Sequence, residues 1–433
     1  MKRIFVLFLT ALILFALCGC AAILEDEVYY TTAHPGSTAS PSPDNGIEAS
    51  DYESLKSAIF GFVKSHETSG LISIYTYEGD IDADVQKACA EIMEVEPIGV
   101  YALDSLDGVT TKIVSYYEVE IEAAFKRTKA QMDSIITIST LRYLRSEILN
   151  FISSYASEAV ISTNISITQE SVSELVRELY YENPLSVVML PSTVVKVFPP
   201  EGINRIIELT FENWIAADHL QAYKESLERA VAIMVMQASG ENDMEILRDL
   251  CDMLMSACEY DADGAVLIAE YGTQNSASTA YGALVTGSAV GEGYAMAYKA
   301  LCDELGIECT VVLGKRGDML HAWNIVALDG NYYHVDAAAC DEDGFIAGFL
   351  KSDEQLEEAG YVWDREAAKV CGGPFSIIPE VEPQVEANGE QPVNPIDGEN
   401  TGEETTGDPG ENPPEDGTGD EPTIPDGNAE QTE

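Results

Sequence analysis

The sequence predicts a mixed α+β protein in which a buried helix packs on an antiparallel sheet, preceded by two tandem α+β repeats and followed by an acidic tail. Apolar residues recur at helical spacing between Gly293 and Leu305, which predicts the helix. Two strand-like segments flank Asp329-Gly330, the strongest short hairpin signal in the chain. The segment Leu55–Val63 matches Leu144–Ile152 at an offset of 89 residues, which indicates an internal repeat.

Composition limits the classes of function. The chain has 433 residues, enough for two or three domains, and 46% of them are hydrophobic, as in ordinary globular proteins. The formal net charge of -52 argues against nucleic acid as a partner and against attraction to anionic lipid, because both need clustered Lys and Arg. A solubilising acidic surface is the simplest interpretation of this charge.

The N-terminus carries a secretion signal. Met1-Lys2-Arg3 is basic, and Ile4 to Leu17 is an apolar run too short to span a membrane. The run ends Leu17-Cys18-Gly19-Cys20, which resembles the lipobox of bacterial lipoproteins. We therefore expect a signal peptide at residues 1–19 and a lipid on Cys20. The mature protein would be extracytoplasmic and lipid-anchored to the bacterial cell membrane, with a flexible linker at residues 20–50.

The two repeats are predicted at residues 51–139 and 140–240. Each reads as helix, strand, helix and two strands, followed by a charged amphipathic helix, at Lys126–Ile138 and Asp218–Met236. Neither repeat contains a recognisable catalytic cluster, so a binding or spacer role is expected for both. Beyond them, Glu245 to Tyr260 reads as a helix and Asp261 to Thr279 as a loop bordering a cleft. After Asp336, Gly344–Leu350 and Tyr361–Trp363 are expected to complete the edge of the sheet.

The cysteines do not indicate a disulfide scaffold or a metal centre. Seven remain after Cys20, and no pair has the CxxC spacing of a structural zinc site. Most are expected to be small buried side chains. A disulfide bond between Cys302 and Cys309, or between Cys251 and Cys258, remains an alternative. No metal and no cofactor are predicted.

The hairpin brings a histidine and an aspartate to one face. If Asp329-Gly330 is a two-residue turn, Leu328 faces Asn331, and His321 lies opposite Ala338. Asp336 is then a diagonal neighbour of His321, within reach of its imidazole. An Asp that orients a His is half of a nucleophile-activating constellation. His334 is the competing partner for Asp336, but it lies along the same strand rather than across the hairpin.

These motifs resemble the bacterial transglutaminase-like superfamily, which has a papain-like cysteine-enzyme core. The resemblance rests on AVGEGYAMAYKALCDELGIECTVVLG and HAWNIVALDGNYYHVD and covers about Asp243 to Phe375. It implies a catalytic His at His321 and a catalytic Asp at Asp336. The nucleophilic Cys of the family motif is replaced here by Gly291. The transglutaminase-like domain is predicted at residues 241–378.

Three functions follow as hypotheses. The first is a surface binding protein that holds a protein or cell-wall polymer in a cleft without catalysis, because the nucleophile is missing. The second is an active cysteine-type acyl transferase or peptidase, which needs a replacement thiol. The third is a structural spacer that presents residues 379–433, a segment without Lys or Arg that is rich in Asp, Glu, Pro and Gly. Such a segment is expected to be disordered.

Overall fold

The computed structural model describes residues 47–271 and 275–376. Within them the predicted mixed α+β class is confirmed, with antiparallel pairing in three four-stranded sheets. The signal peptide, Cys20, nearly all of the linker and the acidic tail at 379–433 lie outside the described residues. None of the helices described is long and apolar enough to cross a membrane.

The first α+β segment is a four-stranded sheet with helices on one side. Its elements in chain order are β1 Ile47–Glu48, α1 Tyr52–Lys64, β2 Ser69–Ile74, α2 Ile81–Glu94, α3 Pro97–Ala102, β3 Leu103–Ile113 and β4 Tyr116–Phe125. The strand order is β1-β2-β4-β3, and only the β1–β2 pair is parallel. The side chain of Asp51 caps α1, which fixes where this helix begins.

The second α+β segment has the same topology. After a short α4 Lys129–Asp133, its elements are β5 Ile136–Ile138, α5 Leu141–Ser153, β6 Glu158–Thr163, α6 Gln169–Glu182, β7 Ser192–Phe198, β8 Arg205–Glu212 and α7 Ala217–Gln237. The strand order β5-β6-β8-β7 repeats the first sheet, again with one parallel pair. The helix α5 and the strands β5 to β8 each begin 89 residues after their counterparts. The helix predicted at Lys126–Ile138 is limited to α4, because Ile136–Ile138 forms β5, the edge strand of the second sheet.

The C-terminal part packs one helix against an antiparallel sheet. Its elements are α8 Asp243–Ala257, β9 Glu259–Tyr260, α9 Ala262–Tyr271, β10 Ser288–Ala289, α10 Gly291–Glu304, β11 Cys309–Arg316, β12 Met319–Leu328, β13 Asn331–Val335, α11 Ala337–Asp343, α12 Phe345–Gly348, α13 Asp353–Glu358 and β14 Tyr361–Trp363. The sheet order is β13-β12-β11-β14, and all its pairs are antiparallel. The β12–β13 turn is Asp329-Gly330 as predicted, with Leu328 opposite Asn331.

Two predicted segments differ from the structure. The loop expected over Asp261–Thr279 contains α9, which begins where the Asp261 side chain accepts a hydrogen bond from the Gly264 amide. A strand expected over Gly344–Leu350 is the short helix α12 instead, although Tyr361–Trp363 joins the sheet as expected. Neither of the two alternative disulfide bonds, Cys302–Cys309 or Cys251–Cys258, is formed. All seven cysteines in the part of the chain described are buried free thiols.

One hydrophobic core joins the second segment to the C-terminal part. It contains side chains of α5, α6 and β8 together with those of α8, α10 and β13. The first segment has a core of its own and meets the second through a smaller cluster around Tyr101, Met132 and Ile206. The second sheet is therefore part of the scaffold on which α10 is mounted.

A buried ion pair ties the first two segments together. Arg127, which follows β4, lies 2.8 Å from the carboxylate of Glu208 on β8 and stacks over the ring of Tyr101. The side chain of Glu208 is only 9% exposed. Removing one partner of such a pair leaves the other charge buried without compensation.

Glu208→Gln is therefore expected to lower the free energy of unfolding by about 3 kcal/mol, as measured by urea denaturation. The matched control is Glu178→Gln, which removes an exposed partner of Arg145 and should cost less than about 1 kcal/mol. If both substitutions lowered the free energy of unfolding by the same amount, the buried ion pair of Arg127 and Glu208 would not stabilise the contact between the segments.

Candidate functional site

The helix α10 is the central element of the site. Its side chains are buried almost without interruption from Gly293 to Cys302. The Tyr298 hydroxyl donates to the Leu247 carbonyl on α8, at 2.8 Å, and the buried Asn324 amide on β12 donates to the Ala295 carbonyl, at 2.9 Å. These two bonds fix α10 between α8 and the sheet, so its first residue, Gly291, has a defined position.

Gly291 lies directly against the imidazole of His321. A Cβ atom built on Gly291 would stand 2.4 Å from both Cε1 and Nδ1 of His321, and 3.4 Å from the Ala322 carbonyl oxygen. Real Cβ contacts are not this short. The imidazole therefore occupies space that the side chain of any other residue at position 291 would need.

His321 is held by a buried carboxylate. Its Nε2 lies 2.6 Å from Oδ2 of Asp336, and the two side chains are 5% and 1% exposed. The same oxygen accepts a hydrogen bond from the Tyr361 hydroxyl at 2.7 Å, while Oδ1 accepts from the Ala339 amide at 3.0 Å. With Nε2 bound to Asp336, the Nδ1 side of the ring faces the start of α10.

The protonation of Asp336 follows from these contacts. Burial alone would raise the pKa of this carboxyl group. The neighbouring His321, the Tyr361 hydroxyl and the Ala339 amide together outweigh burial and hold the pKa of Asp336 below its usual range. Asp336 is therefore ionised at neutral pH and orients His321 through a charge-assisted hydrogen bond.

His321 and Asp336 are in contact as predicted, but the strand register that was expected to bring them together is different. His321 does not lie opposite Ala338, because β13 ends at Val335, which pairs with Asn324. Asp336 leaves the strand and caps α11 with its side chain. The turn of the backbone at this cap brings the carboxylate to His321.

The competing histidine has a different partner. His334 is fully buried and lies 2.9 Å from Asp353, and its Nδ1 accepts a hydrogen bond from the Trp323 indole at 3.0 Å. Cys371 completes a group of three side chains whose ligand atoms lie within 4.8 Å. A metal on Nε2 would leave His334 without any proton, because Nδ1 already acts as an acceptor. The donor set therefore suits a hydrogen-bonded core histidine better than a metal ion.

An open cleft of about 800 Å³ lies in front of Gly291 and His321. One wall consists of the sheet residues Leu313, Met319, Leu320 and Val362, which are exposed apolar side chains. The helix α9 contributes another wall, so the segment predicted as a loop does border the cleft. Among the described residues that line it there is no Ser, Thr or Cys.

The second repeat also contributes to the cleft. Arg177 and Tyr181 of α6 line it, and the Tyr181 hydroxyl donates to the Glu292 carboxylate at 2.8 Å. Burial, followed by the charge and hydrogen bond of Glu292, raises the pKa of Tyr181. The hydroxyl therefore stays protonated and anchors Glu292, the residue next to Gly291. The second repeat is thus more than a spacer in the structure.

Sequence reasoning did not assign Tyr361, Tyr181, Arg177 or Lys315 to the site. Tyr361 lies 25 residues beyond Asp336, and only the pairing of β14 with β11 brings it to the carboxylate. Tyr181 reaches Glu292 across 111 residues. No local motif marks either tyrosine, so the sequence of the site region carries no signal for them.

Gly291→Ala should displace His321. The added Cβ would overlap the imidazole, so the ring must move and its bond to Asp336 must weaken. We expect the free energy of unfolding to fall by about 1–3 kcal/mol. Chemical denaturation measures this change, and the imidazole resonances in NMR spectra report the displacement of the ring.

The matched control for this substitution is Gly61→Ala on α1, where an added Cβ meets no atom within 4 Å. This variant should gain about 0.5–1 kcal/mol, because alanine favours the helix. If the two variants had the same stability, position 291 would not be filled by His321.

Asp336→Asn keeps an acceptor for the Ala339 amide and removes the charge beside His321. At pH 7 we expect a loss of about 3 kcal/mol in the free energy of unfolding. Because the folded-state pKa of Asp336 is depressed, its stabilisation is complete above the unfolded value of about 3.9 and disappears as pH falls through the folded value.

The difference between wild type and Asp336→Asn should therefore shrink on acidification below about pH 3.9, as followed by urea unfolding across a pH series. Asp318→Asn, at an exposed turn, is the control and should change stability by less than about 0.5 kcal/mol. A difference for Asp336→Asn that does not depend on pH would refute an ionised, stabilising carboxylate.

Three solved structures are among those that match parts of this chain. A TGase crystal structure is 15% identical, with 42% of this chain and 50% of that chain covered and a TM-score of 0.25. A proposed cysteine protease from Cytophaga hutchinsonii is 15% identical, with 34% of this chain and 64% of that chain covered and a TM-score of 0.21. A proposed protease from Parabacteroides distasonis is 9% identical, with 62% of this chain and 40% of that chain covered and a TM-score of 0.19. The chain thus spans between 40% and 64% of the lengths of these structures.

Part of the chain also matches a protein-family model. No curated protein matches the chain. Residues 231–337 match the model of the transglutaminase-like superfamily, from the end of α7 to the residue after Asp336. This range includes Gly291, His321 and Asp336 and confirms the predicted resemblance. Residues 231–337 of this chain are therefore similar to the transglutaminase-like superfamily.

Proposed function

We propose that this chain is a lipid-anchored extracytoplasmic binding protein whose transglutaminase-like domain holds a ligand without catalysing acyl transfer. The ligand would be a protein or a cell-wall polymer. The contact between Gly291 and the His321 ring carries the proposal: the imidazole and carboxylate are in place, and the atom that would attack a substrate is not. In a triad enzyme, loss of the nucleophile costs on the order of 10⁶ in rate.

No other nucleophile compensates for Gly291 within the described residues. No hydroxyl or thiol side chain of Ser, Thr or Cys lines the cleft there. Cys302, the nearest cysteine along α10, is fully buried in the helix's last turn, and burial raises its pKa far above the usual range. Burial likewise raises the pKa of Cys258 to about 11. These thiols are protonated and shielded, which is the opposite of what nucleophilic catalysis needs.

The proposed extracytoplasmic location and the proposed lipid anchor rest on the sequence of residues 1–20. A lipid on Cys20 and the linker that follows would hold the cleft outside the cytoplasmic membrane. The net charge of -52 suits a ligand other than nucleic acid.

An acylation assay tests the lack of catalysis. Purified wild-type protein should show no burst with a p-nitrophenyl ester and no labelling of the native protein by iodoacetamide. Turnover that His321→Ala abolishes would overturn the proposal, because it would reveal an active cysteine-type or related enzyme.

Gly291→Cys is the complementary variant. The new side chain must displace the His321 ring, as in Gly291→Ala. If the displaced imidazole stays beside the thiol, the thiol should be alkylated, and His321→Ala in the same background should slow the alkylation, because the imidazole favours thiolate. The matched control is Gly317→Cys, at an open turn where labelling should not depend on His321. A cysteine at 291 that reacts no differently when His321 is removed would favour the spacer role.

A further inference from the structure

The sheet of the first segment has one open face. Its other face packs on the helices α1 and α2 through side chains such as Ile72 and Val119, which are fully buried. On the open face, Glu120 of β4 lies between Leu71 of β2 and Val109 of β3, its direct cross-strand neighbours. These two apolar side chains are 50% and 64% exposed, so this part of the sheet meets solvent.

Glu120 has an equivalent in the second sheet, which is Glu208 of β8. Each of the two glutamates directly follows a buried residue whose partner on the neighbouring strand, β2 or β6, is an isoleucine. Each also lies opposite an apolar residue on that strand, Leu71 in the first sheet and Val160 in the second. The two carboxylates therefore hold the same place in the two copies of the repeat.

In the second sheet this face is covered. The Arg127 guanidinium lies 2.8 Å from the Glu208 carboxylate and is stacked over the ring of Tyr101. The Tyr101 side chain also belongs to a small buried cluster with Val160 and Ile206. One arginine and one aromatic ring from the first segment therefore close the face around Glu208.

The open face of the first sheet has the acids and lacks the cation. Glu122 lies directly opposite Asp107, and like charges in this arrangement destabilise a sheet. Val109 lies opposite Glu120, where the second sheet has Lys196 opposite its glutamate. Among the residues that the structure describes, neither Glu120 nor Glu122 forms an ion pair. A bound cation would offset this repulsion.

We propose that the open face is a docking surface for a partner protein that presents an arginine beside an aromatic side chain. The guanidinium would pair with Glu120 and the ring would lie on Leu71 and Val109, as in the covered copy of the repeat. A second copy of this chain is disfavoured as the occupant, because each copy has a net charge of -52 and its Arg127 is already engaged. The surface is separate from the cleft.

Peptide binding to the full chain, labelled with ¹³C at the leucine and valine methyl groups, tests the inference. The probe is acetyl-Phe-Lys-Arg-Thr-amide, which copies residues 125–128, and acetyl-Phe-Lys-Gln-Thr-amide is the matched control ligand. The arginine peptide should shift the methyl resonances of Leu71 and Val109 saturably. It should bind about fivefold more tightly than the glutamine peptide, because only a guanidinium forms a bidentate pair with a carboxylate.

Variants locate the contact. Glu120→Gln should bring the affinities for the two peptides together, and Leu71→Ser and Val109→Ser should each weaken the binding of both several-fold. Glu94→Gln, at the end of α2 on the opposite side of the sheet, makes the same change in net charge and should leave both affinities unchanged. Because Glu120 is exposed, its substitution should not change the midpoint of thermal unfolding, which separates lost docking from lost folding.

Four outcomes would overturn the inference. Equal affinity of the wild type for the two peptides, or a preference for arginine that survives Glu120→Gln, would refute docking at this carboxylate. If acetyl-Phe-Lys-Lys-Thr-amide bound as tightly as the arginine peptide, the face would attract any cation and would not select arginine. A dimer in light scattering that Glu120→Gln dissociates would make a second copy of the chain the occupant.

Discussion

The hydrogen bond between His321 and Asp336 determines what the rest of the site can do. It keeps the imidazole buried and turned so that Nδ1 meets Gly291, at a distance no larger side chain would tolerate. His321 itself, followed by the Tyr361 hydroxyl and the Ala339 amide, lowers the pKa of Asp336 and keeps the carboxylate ionised in spite of burial. A pair arranged in this way normally activates a neighbouring nucleophile. In this chain it faces the α hydrogens of Gly291, where a nucleophilic side chain would otherwise stand.

The scaffold explains why this pair is ordered. Asp336 also caps α11, and Asn324 ties the histidine's strand to α10. The second α+β segment shares the core of the transglutaminase-like domain and places Tyr181 on Glu292, next to Gly291. The residues that shape the cleft are therefore also residues that stabilise the fold, and the cleft wall is built from two different parts of the chain.

Much of this arrangement follows from sequence pattern. The hairpin at Asp329-Gly330, the buried helix and the pairing of His321 with Asp336 are predicted, because strand alternation and helical spacing are local properties. The helix α9 was missed because two glycines and a polar segment around it resemble a loop. The register beyond Val335 was wrong because a helix cap at Asp336 ends the strand. Tyr361, Tyr181 and the cations of the cleft arrive through long-range packing, which no local pattern encodes.

The central claim is that the imidazole of His321 occupies the place of the missing nucleophile. The nuclear Overhauser effect between the Hε1 proton of His321 and the α protons of Gly291 measures this contact in solution. A strong effect is expected, since Cε1 lies against the first residue of α10. Its absence, with the His321 ring in contact with other residues instead, would contradict the account.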